Sequence, residues 1–481
     1  MGNCSRIIIV SLAFTLLGCC PDERNCDQIQ CPAGFVCVEE GPFQVCRAIF
    51  DGGVLDTLVA DSISTFDQSG EQARDARAEG FSLAPLTVVS STPAEGAPRA
   101  DLRAPIRVTF SAELDPSTLA PTSFSLGVGD TAVGGALSYD APTRVVTFTP
   151  SQLLADGAEH TLTMTTALRS TRGATLAQDS VVSFTTARWE PITTGSTADL
   201  YAVEGGTTKV YIAGTDRLHS FDGTTWEAEA TWPPAGSFFS LHVVAADDIW
   251  AAGSGSSAMH HYDGTVWTRD TSLSTSIPIL SVAGLGSHLF TAGLDAQIFR
   301  YLDGAWVKWN DHTPGIFNME ATFNDIWAHG PAGITPSTAY AVALNNGNTS
   351  GPLFKAKILS TLTSWTLVAD PGVPTASLYG IWGTAANHIV VVGDNIVSRF
   401  DGTTWTAQTI PGFSGILRDV WGTGPDDVYV VGDEGMLAHW NGTNWVKLPT
   451  HTTETLRSVW GSSTHDIWAV GRNGTVLRYQ H

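Results

Sequence analysis

Residues Leu417 to Pro449 read LRDVWGTGPDDVYVVGDEGMLAHWNGTNWVKLP. Four short apolar stretches, LRDVWGT, DVYVVG, LAHW and WVKLP, are separated by Gly424-Pro425, Asp433 to Gly435 and Asn441-Gly442. Short alternating runs punctuated by Gly, Pro, Asn and Asp are the pattern of β-strands joined by tight turns. Weaker copies recur through the last three-fifths of the chain.

Three columns fix the register of these copies. A Gly ends an apolar strand at Gly214, Gly253, Gly293, Gly393, Gly432 and Gly471, in steps of 39, 40, 100, 39 and 39. The words DGTTW, DGTVW, DGAW, DGTTW and NGTNW place Trp226, Trp267, Trp306, Trp405 and Trp445. Both residues of an Asp-Gly or Asn-Gly pair tolerate positive φ, so each pair is expected to close a tight hairpin. The third column is the strand written YGIWGT, RDVWGT and RSVWGS, centred on Trp382, Trp421 and Trp460. The step of 100 hides one divergent unit, from about Phe323 to Ala369, with TAYAVALNN as its Gly-column strand and Trp365 in its Trp column. Inserts lie around Thr313 and Pro331. Four antiparallel strands per roughly forty residues is the signature of a β-propeller blade. The count gives seven, over residues 188–481. The last unit stops before its Asp-Gly turn, and Arg188-Trp189-Glu190-Pro191-Ile192 is expected to supply the missing strand. A solenoid with free ends, the competing architecture, leaves Trp189 unexplained.

The chain has 481 residues, 15% of them charged and 43% hydrophobic, which excludes a wholly disordered protein. A formal charge of -22 argues against nucleic acid and anionic lipid surfaces as partners. All seven Cys lie at or before Cys46 and all sixteen Trp at or after Trp189, so the chain holds at least three regions.

Residues 1–18 carry Arg6 and then the apolar run IIIVSLAFTLLG, too short to span a bilayer and the length of a signal-peptide core. The run ends in Leu16-Leu17-Gly18-Cys19, which resembles the bacterial lipobox. The resemblance implies cleavage before Cys19 and acylation of its thiol, giving a lipid (palmitate-type) anchor in the membrane. Residues 19–46 read as a disulfide-stapled module. CPAGFVC is similar to the turn of an EGF-like small knot. Cys26, Cys31, Cys37 and Cys46 are expected to form two bridges of unassigned connectivity, with Cys20 left over. A zinc site is the alternative. Residues 47–85, rich in acids and without sustained period, read as an acidic linker, with a short helix an option around 71–78.

From Leu86 to Ala187, seven short strands follow one another: TVVSSTP, PIRVTFS, SFSLGV, GALSYD, RVVTFTP, HTLTMTT and VVSFTTA. The count suits an immunoglobulin-like sandwich. Pro93 with Gly96, PIRVTF, Leu114-Asp115-Pro116, Tyr139-Asp140, VTFTP and the closing Ser183-Phe-Thr-Thr186 resemble the bacterial Ig-like domain of surface-layer proteins (SbsA/Big type). That family implies a spacer or adhesive module, and Asp115-Pro116 reads as a turn, not a ligand site.

No catalytic constellation stands out. The Asp-Gly-x-x-Trp turn resembles the BNR repeat, a relative of the Asp-box of sialidases, with Asp four residues before Trp and not five. In that family the box is structural. Arg300, Arg399 and Arg478 occupy a column held elsewhere by His219, His261 and His439, one per unit. A column with one residue per blade points to seven separate places, so neither an Arg triad nor a His metal site is expected. The Trp columns read as packing between blades. Asn441-Gly-Thr443 and Asn473-Gly-Thr475 match glycosylation sequons that turn chemistry already explains. The expected architecture is all-β: lipoprotein signal, disulfide module, acidic linker, Ig-like sandwich and seven-bladed β-propeller. The combination resembles large exported repeat lipoproteins of predatory and social bacteria. The expected function is a non-enzymatic envelope lipoprotein at the outer membrane or cell surface, without cofactor. Its propeller binds or scaffolds a glycan or protein partner and no nucleic acid. A glycan-cleaving hydrolase of sialidase-like type and an envelope-complex assembly factor are the alternatives.

Overall fold

The computed structural model describes residues 84–481 except 207, 229–235, 255–257, 274, 276, 286–287, 310–320, 331–337, 345–351 and 359–364. It also describes the backbone of 35–40, 43–50 and 53–54. Residues 1–81 and 82–481 form two compact units. In the first, Phe35–Glu40, Phe43–Phe50 and Gly53–Val54 make a three-stranded antiparallel sheet. Its backbone register sets Cys37 across from Cys46, and its second and third strands enter the stretch read as linker. Cys19, Cys20, Cys26 and Cys31 lie outside the described residues, as do the side chains of Cys37 and Cys46 and the helix option at 71–78.

In the second unit, residues 88–185 form two four-stranded antiparallel sheets. One orders Val88–Thr92, Ile106–Phe110, Val145–Pro150 and Gly135–Asp140. The other orders Ser180–Thr185, Glu159–Met164, Phe124–Val128 and Thr131–Val133. Alternate residues face inward, so Ile106, Val108 and Phe110 meet Phe124, Leu162 and Phe184 in one buried cluster. The sandwich has eight strands where the sequence suggested seven. The addition is Thr131–Val133, an exposed three-residue edge turned back by Gly129 at φ 52°. It is too short to show an alternation. Asp115 does cap a turn: its Oδ1 accepts from the Ser117 N–H at 3.0 Å and from Ser117 Oγ at 2.7 Å.

Residues 189–480 hold seven four-stranded antiparallel sheets. They are numbered here by their first strands: Leu200–Gly205, Phe238–Ala245, Ile279–Leu285, Phe323–His329, Leu378–Ala385, Leu417–Gly424 and Leu456–Ser463. Each of these inner strands contacts the next, and the seventh contacts the first. The fourth strand of the seventh sheet is Trp189–Pro191, paired as Trp189 with Tyr479 and Glu190 with Arg478. The divergent fourth sheet runs through Phe323–His329, Thr338–Ala343, Leu353–Lys357 and Thr366–Leu367. Its inserts lie outside the described residues.

Sheet-on-sheet packing explains the columns. The second strands, such as Val428–Gly432 and Ile389–Gly393, are buried on both faces between neighbouring sheets, hence their unbroken apolar run. The Gly that ends each strand lies opposite the start of the inner strand. A Cβ at Gly432 would overlap the Ile416 carbonyl, and one at Gly393 the Ser377 carbonyl. The fourth sheet has Ala343 at this place, opposite Phe323. A second glycine series seats indoles. The Trp421 ring packs where a Gly461 Cβ would stand, at 2.5 Å, and Trp382 does the same at Gly422, at 2.8 Å.

The Asp-Gly turns differ from expectation. Only Asp303-Gly304 is a two-residue hairpin with both φ positive, 50° and 84°. DGTT, DGTV and NGTN are four-residue loops in which Gly alone is at positive φ. There the Asp or Asn side chain closes the turn. Asp401 Oδ1 accepts from Thr403 N and Thr404 N at 2.8 and 2.9 Å, and Asn441 Oδ1 accepts from Thr443 N and Asn444 N at 3.0 and 2.8 Å. Aromatic pairs, Phe400 with Trp405 and Trp440 with Trp445, staple the strands behind each loop.

Candidate functional site

The inner strands surround a cavity of about 450 Å³. Three positions near the start of each strand, the second, third and fifth, carry its polar and aromatic side chains. The middle position carries Ser240, Ser281, Asp325, Gly380, Asp419 and Ser458 in sheets two to seven. These side chains lace each inner strand to the next. Asp325 Oδ2 accepts from Ile381 N at 3.0 Å, and its Oδ1 accepts from Ser281 Oγ at 2.7 Å. Asp419 Oδ2 accepts from Val459 N at 2.9 Å, Ser240 Oγ from Val282 N at 3.1 Å, and Ser458 Oγ from Val203 N at 3.3 Å. Between sheets one and two, Glu204 Oε1 accepts from Val243 N at 3.2 Å. Gly380 is the gap in this lacing: a Cβ there would stand 3.0 Å from the Asp419 Cα.

Burial, and then the charge of Asp419, pushes the Asp325 carboxyl up to about 7. Burial raises Asp419 to about 6, against the pull of its hydrogen bonds. Two raised carboxyls in one cavity resemble an acid/base pair on paper. Their oxygens, however, hold the backbone of neighbouring sheets: Asp325 also accepts from Ile326 N and Asp419 from Val420 N.

The preceding position faces the other way along the cavity. Around the ring from sheet five it carries Tyr379, Arg418, Arg457, Tyr201 and Phe239, a continuous arc of half-buried rings and guanidiniums. Arg457 lies over the Tyr201 ring at 4.2 Å and pairs with Asp199 at 3.2 Å. Arg418 pairs with Asp433 at 2.7 Å and approaches the Tyr379 ring at 5.9 Å. Tyr201 meets Phe239 edge-on at 5.0 Å. Two residues beyond the middle position stand Trp327, Trp382, Trp421 and Trp460 in sheets four to seven, and Trp327, Trp421 and Trp460 line the cavity.

None of these polar residues stands out from the strand pattern alone. Their signal was the polar pair inside RDVWGT and RSVWGS, where an apolar inner strand has no structural need of Arg next to Asp or Ser. The column that did stand out does not include His219: in sheet one Ser220 lies across from Tyr211, where five other sheets set His261, Arg300, Arg399, His439 or Arg478. His261 pairs with Asp248 at 2.8 Å, His439 with Asp427 at 2.6 Å and Arg478 with Asp466 at 2.7 Å, each within its own sheet. Among the described residues no group of three or more His, Cys, Asp or Glu is placed to hold a metal ion.

The sandwich meets the ring at sheets six and seven. Arg103 is clamped by Asp101 at 2.9 Å and donates to Tyr429 Oη at 2.7 Å, while Asp101 lies 3.5 Å from His481 Nε2. A cavity of about 380 Å³ at this junction is lined by Asp101, Arg103, Asp427, His439, His465 and His481. The apolar cluster of the sandwich continues into Trp189, Tyr429 and Tyr479.

Residues 83–186 match the family described as "Bacterial Ig-like domain". No curated protein matches. Among solved structures, the "WD40 beta propeller domain of Doa1" is 10% identical, with a TM-score of 0.51, over 61% of this chain and 97% of that one. "Streptogramin B lyase" is 12% identical, with a TM-score of 0.50, over 61% and 97%. "YCF48 bound to D1 peptide" is 16% identical, with a TM-score of 0.48, over 61% and 95%. Such identities speak for the fold alone: the chain is all-β, with a bacterial Ig-like domain at 83–186 and a propeller-like remainder.

Proposed function

We propose that the seven sheets are the blades of a closed seven-bladed propeller of BNR-related type, and that the propeller is a non-enzymatic binding module. The observation that carries this is the division of labour along the central cavity. Its carboxyls are committed to holding the sheets together, and its arc of Tyr379, Arg418, Arg457, Tyr201 and Phe239 is left half-exposed. Rings flanking guanidiniums suit a glycan or peptide that stacks on an aromatic face and offers acceptors to Arg. The full chain is expected to bind members of a glycan or peptide array, with affinity falling at least tenfold in the double variant Arg418→Gln, Arg457→Gln. Binding that survives the double variant places recognition elsewhere. Turnover of a glycan that disappears in Asp325→Asn would replace this reading with the hydrolase.

We further propose that the protein is exported and held at the outer membrane or cell surface by a lipid on Cys19. The lipobox-like Leu16-Leu17-Gly18-Cys19 and the Ig-like domain support this. Cys19→Ala is expected to move the protein from the membrane to the soluble fraction, and unchanged membrane retention would refute the anchor.

A further inference from the structure

The second strand opens on an Asp in sheets two, six and seven (Asp248, Asp427 and Asp466), and its place is taken by Lys209, His288, Thr338 and His388 in the others; sheet five is the informative case, because it keeps the other members of the arrangement seen in sheets six and seven. In sheets six and seven the second strand opens on an Asp that joins a hydroxyl to a nitrogen of the third strand, His439 in one and Arg478 in the other. Thr423 Oγ1 donates to Asp427 Oδ2 at 2.5 Å while His439 holds Oδ1. Ser462 Oγ donates to Asp466 Oδ2 at 3.1 Å while the Arg478 Nε–H donates to Oδ1. Sheet five has the same hydroxyl, Thr384, and the same third-strand position, Arg399. Its register is the same too: Ala385 lies across from His388 as Gly424 lies across from Asp427. The residue between them is His388. The sheet therefore keeps the cation and lacks the anion.

Among the described residues no carboxylate lies within 4.0 Å of the Arg399 guanidinium, and its Nη2–H donates to the Pro425 carbonyl at 2.7 Å. Its plane stacks on Trp440 of sheet six at 4.0 Å. Thr384 Oγ1 lies 2.9 Å from His388 Nδ1. A hydroxyl donating there leaves the proton of the neutral ring on Nε2. Three buried nitrogens then lack an acceptor: Arg399 Nε, His388 Nε2 and Trp440 Nε1. All three residues line one cavity of about 410 Å³ between sheets five and six. The carboxylate of Asp401, also on its wall, is engaged by Thr403 and Thr404 in its own turn. Asp426 acts on Arg399 from beyond ion-pair reach. Buried donors without acceptors are costly, and an oxyanion satisfies several of them at once.

We infer that Arg399, His388 and Trp440 form a site for an oxyanionic group, a carboxylate or a phosphate or sulfate, which takes the place of the missing Asp. The site is separate from the central cavity and does not depend on what binds there.

The test is thermal unfolding of the full chain at constant ionic strength and neutral pH, with chloride exchanged for acetate, inorganic phosphate or sulfate. The wild type is expected to gain about 2 °C or more in at least one of the three beyond its value in chloride. The anion giving the larger gain identifies carboxylate or tetrahedral oxyanion as the fitting group. His388→Asp rebuilds a hydroxyl–Asp–Arg arrangement like that of Ser462, Asp466 and Arg478 in sheet seven, so it is expected to fold, to match or exceed the wild-type midpoint in chloride, and to lose the gain. Arg399→Gln is expected to lose the gain as well, and Arg478→Gln to keep it. No gain in any anion, or an equal gain in His388→Asp, would overturn the site, since the second result is the general effect of the salt on burial.

Discussion

Sheets five and six have nearly the same backbone and different polar equipment. Both have an inner strand containing Trp-Gly, a second strand ending in a crowded Gly, and a four-residue loop closed by Asp401 or Asn441. At the inner strand, Gly380 stands where sheet six has Asp419. At the opening of the second strand, His388 stands where sheet six has Asp427. On the third strand, Arg399 stands where sheet six has His439. The shared positions are fixed by close packing between sheets, which every sheet needs. The differing positions are not the same from sheet to sheet, and among them Asp419 lines the central cavity while His388 and Arg399 line the one between sheets five and six. Recurrence in a repeat protein thus marks structure, and a break in recurrence marks the place to look for function.

The shared part of the comparison makes the strongest prediction. Gly432→Ala and Gly393→Ala each set a methyl group against a backbone carbonyl that cannot move without shifting the start of an inner strand. Each is expected to cost on the order of 2–4 kcal/mol, read as a lowered midpoint in thermal or urea unfolding. The two costs should be similar. Tolerance at Gly393 with collapse at Gly432 would show that the sheets are less alike than their registers imply. The fourth sheet already carries Ala343 at this place, so Ala343→Gly is the control and should show no comparable loss.

The same glycines show why so much of the fold was legible. A close approach that leaves little room for a side chain holds Gly at this place in six of the seven sheets and Ala343 in the fourth, so four steps of 39 or 40 residues and one of 100 mark out the sheets. The Trp column and the exchanged strand at Trp189 follow from the same packing. The turn type was not legible, because Asp-Gly suits both a two-residue hairpin and a loop closed by the Asp side chain. Only the loop length separates DGAW from DGTTW. The eighth sandwich strand was too short to show a period. The sites were hardest, since Asp325 and Asp419 gain their character from strands more than thirty residues away in sequence. Nothing local to RDVWGT says that its Asp is laced to Val459. Arg399 was visible as a member of a column, but its missing acid appears only when the strands are paired.

Asp419 and Gly380 supply the finest test of the comparison. Asp325 and Asp419 are raised carboxyls, so the folded protein keeps protons that the unfolded chain has released. Their contribution is therefore greatest below the ordinary carboxylate range, near pH 4, and declines as pH rises to about 6 for Asp419 and about 7 for Asp325. Each is expected to withdraw on the order of 2 kcal/mol across that window. An amide is a poorer lacing group, because it offers one acceptor where the carboxyl serves both Val420 N and Val459 N. Asp419→Asn should thus be less stable than the wild type near pH 4. The deficit should shrink as pH rises, since the wild type must then bury a charge and the variant does not. Asp325→Asn should behave in the same way with its window extending about one pH unit higher. In sheet five, where Gly380 provides no titrating group, no substitution of comparable pH effect is available. A deficit in Asp419→Asn that stays constant from pH 4 to 7 would mean that the carboxylate is charged throughout. The laced Asp residues would then be ordinary anions held by backbone N–H groups, and the cavity they line would carry both negative charges at neutral pH.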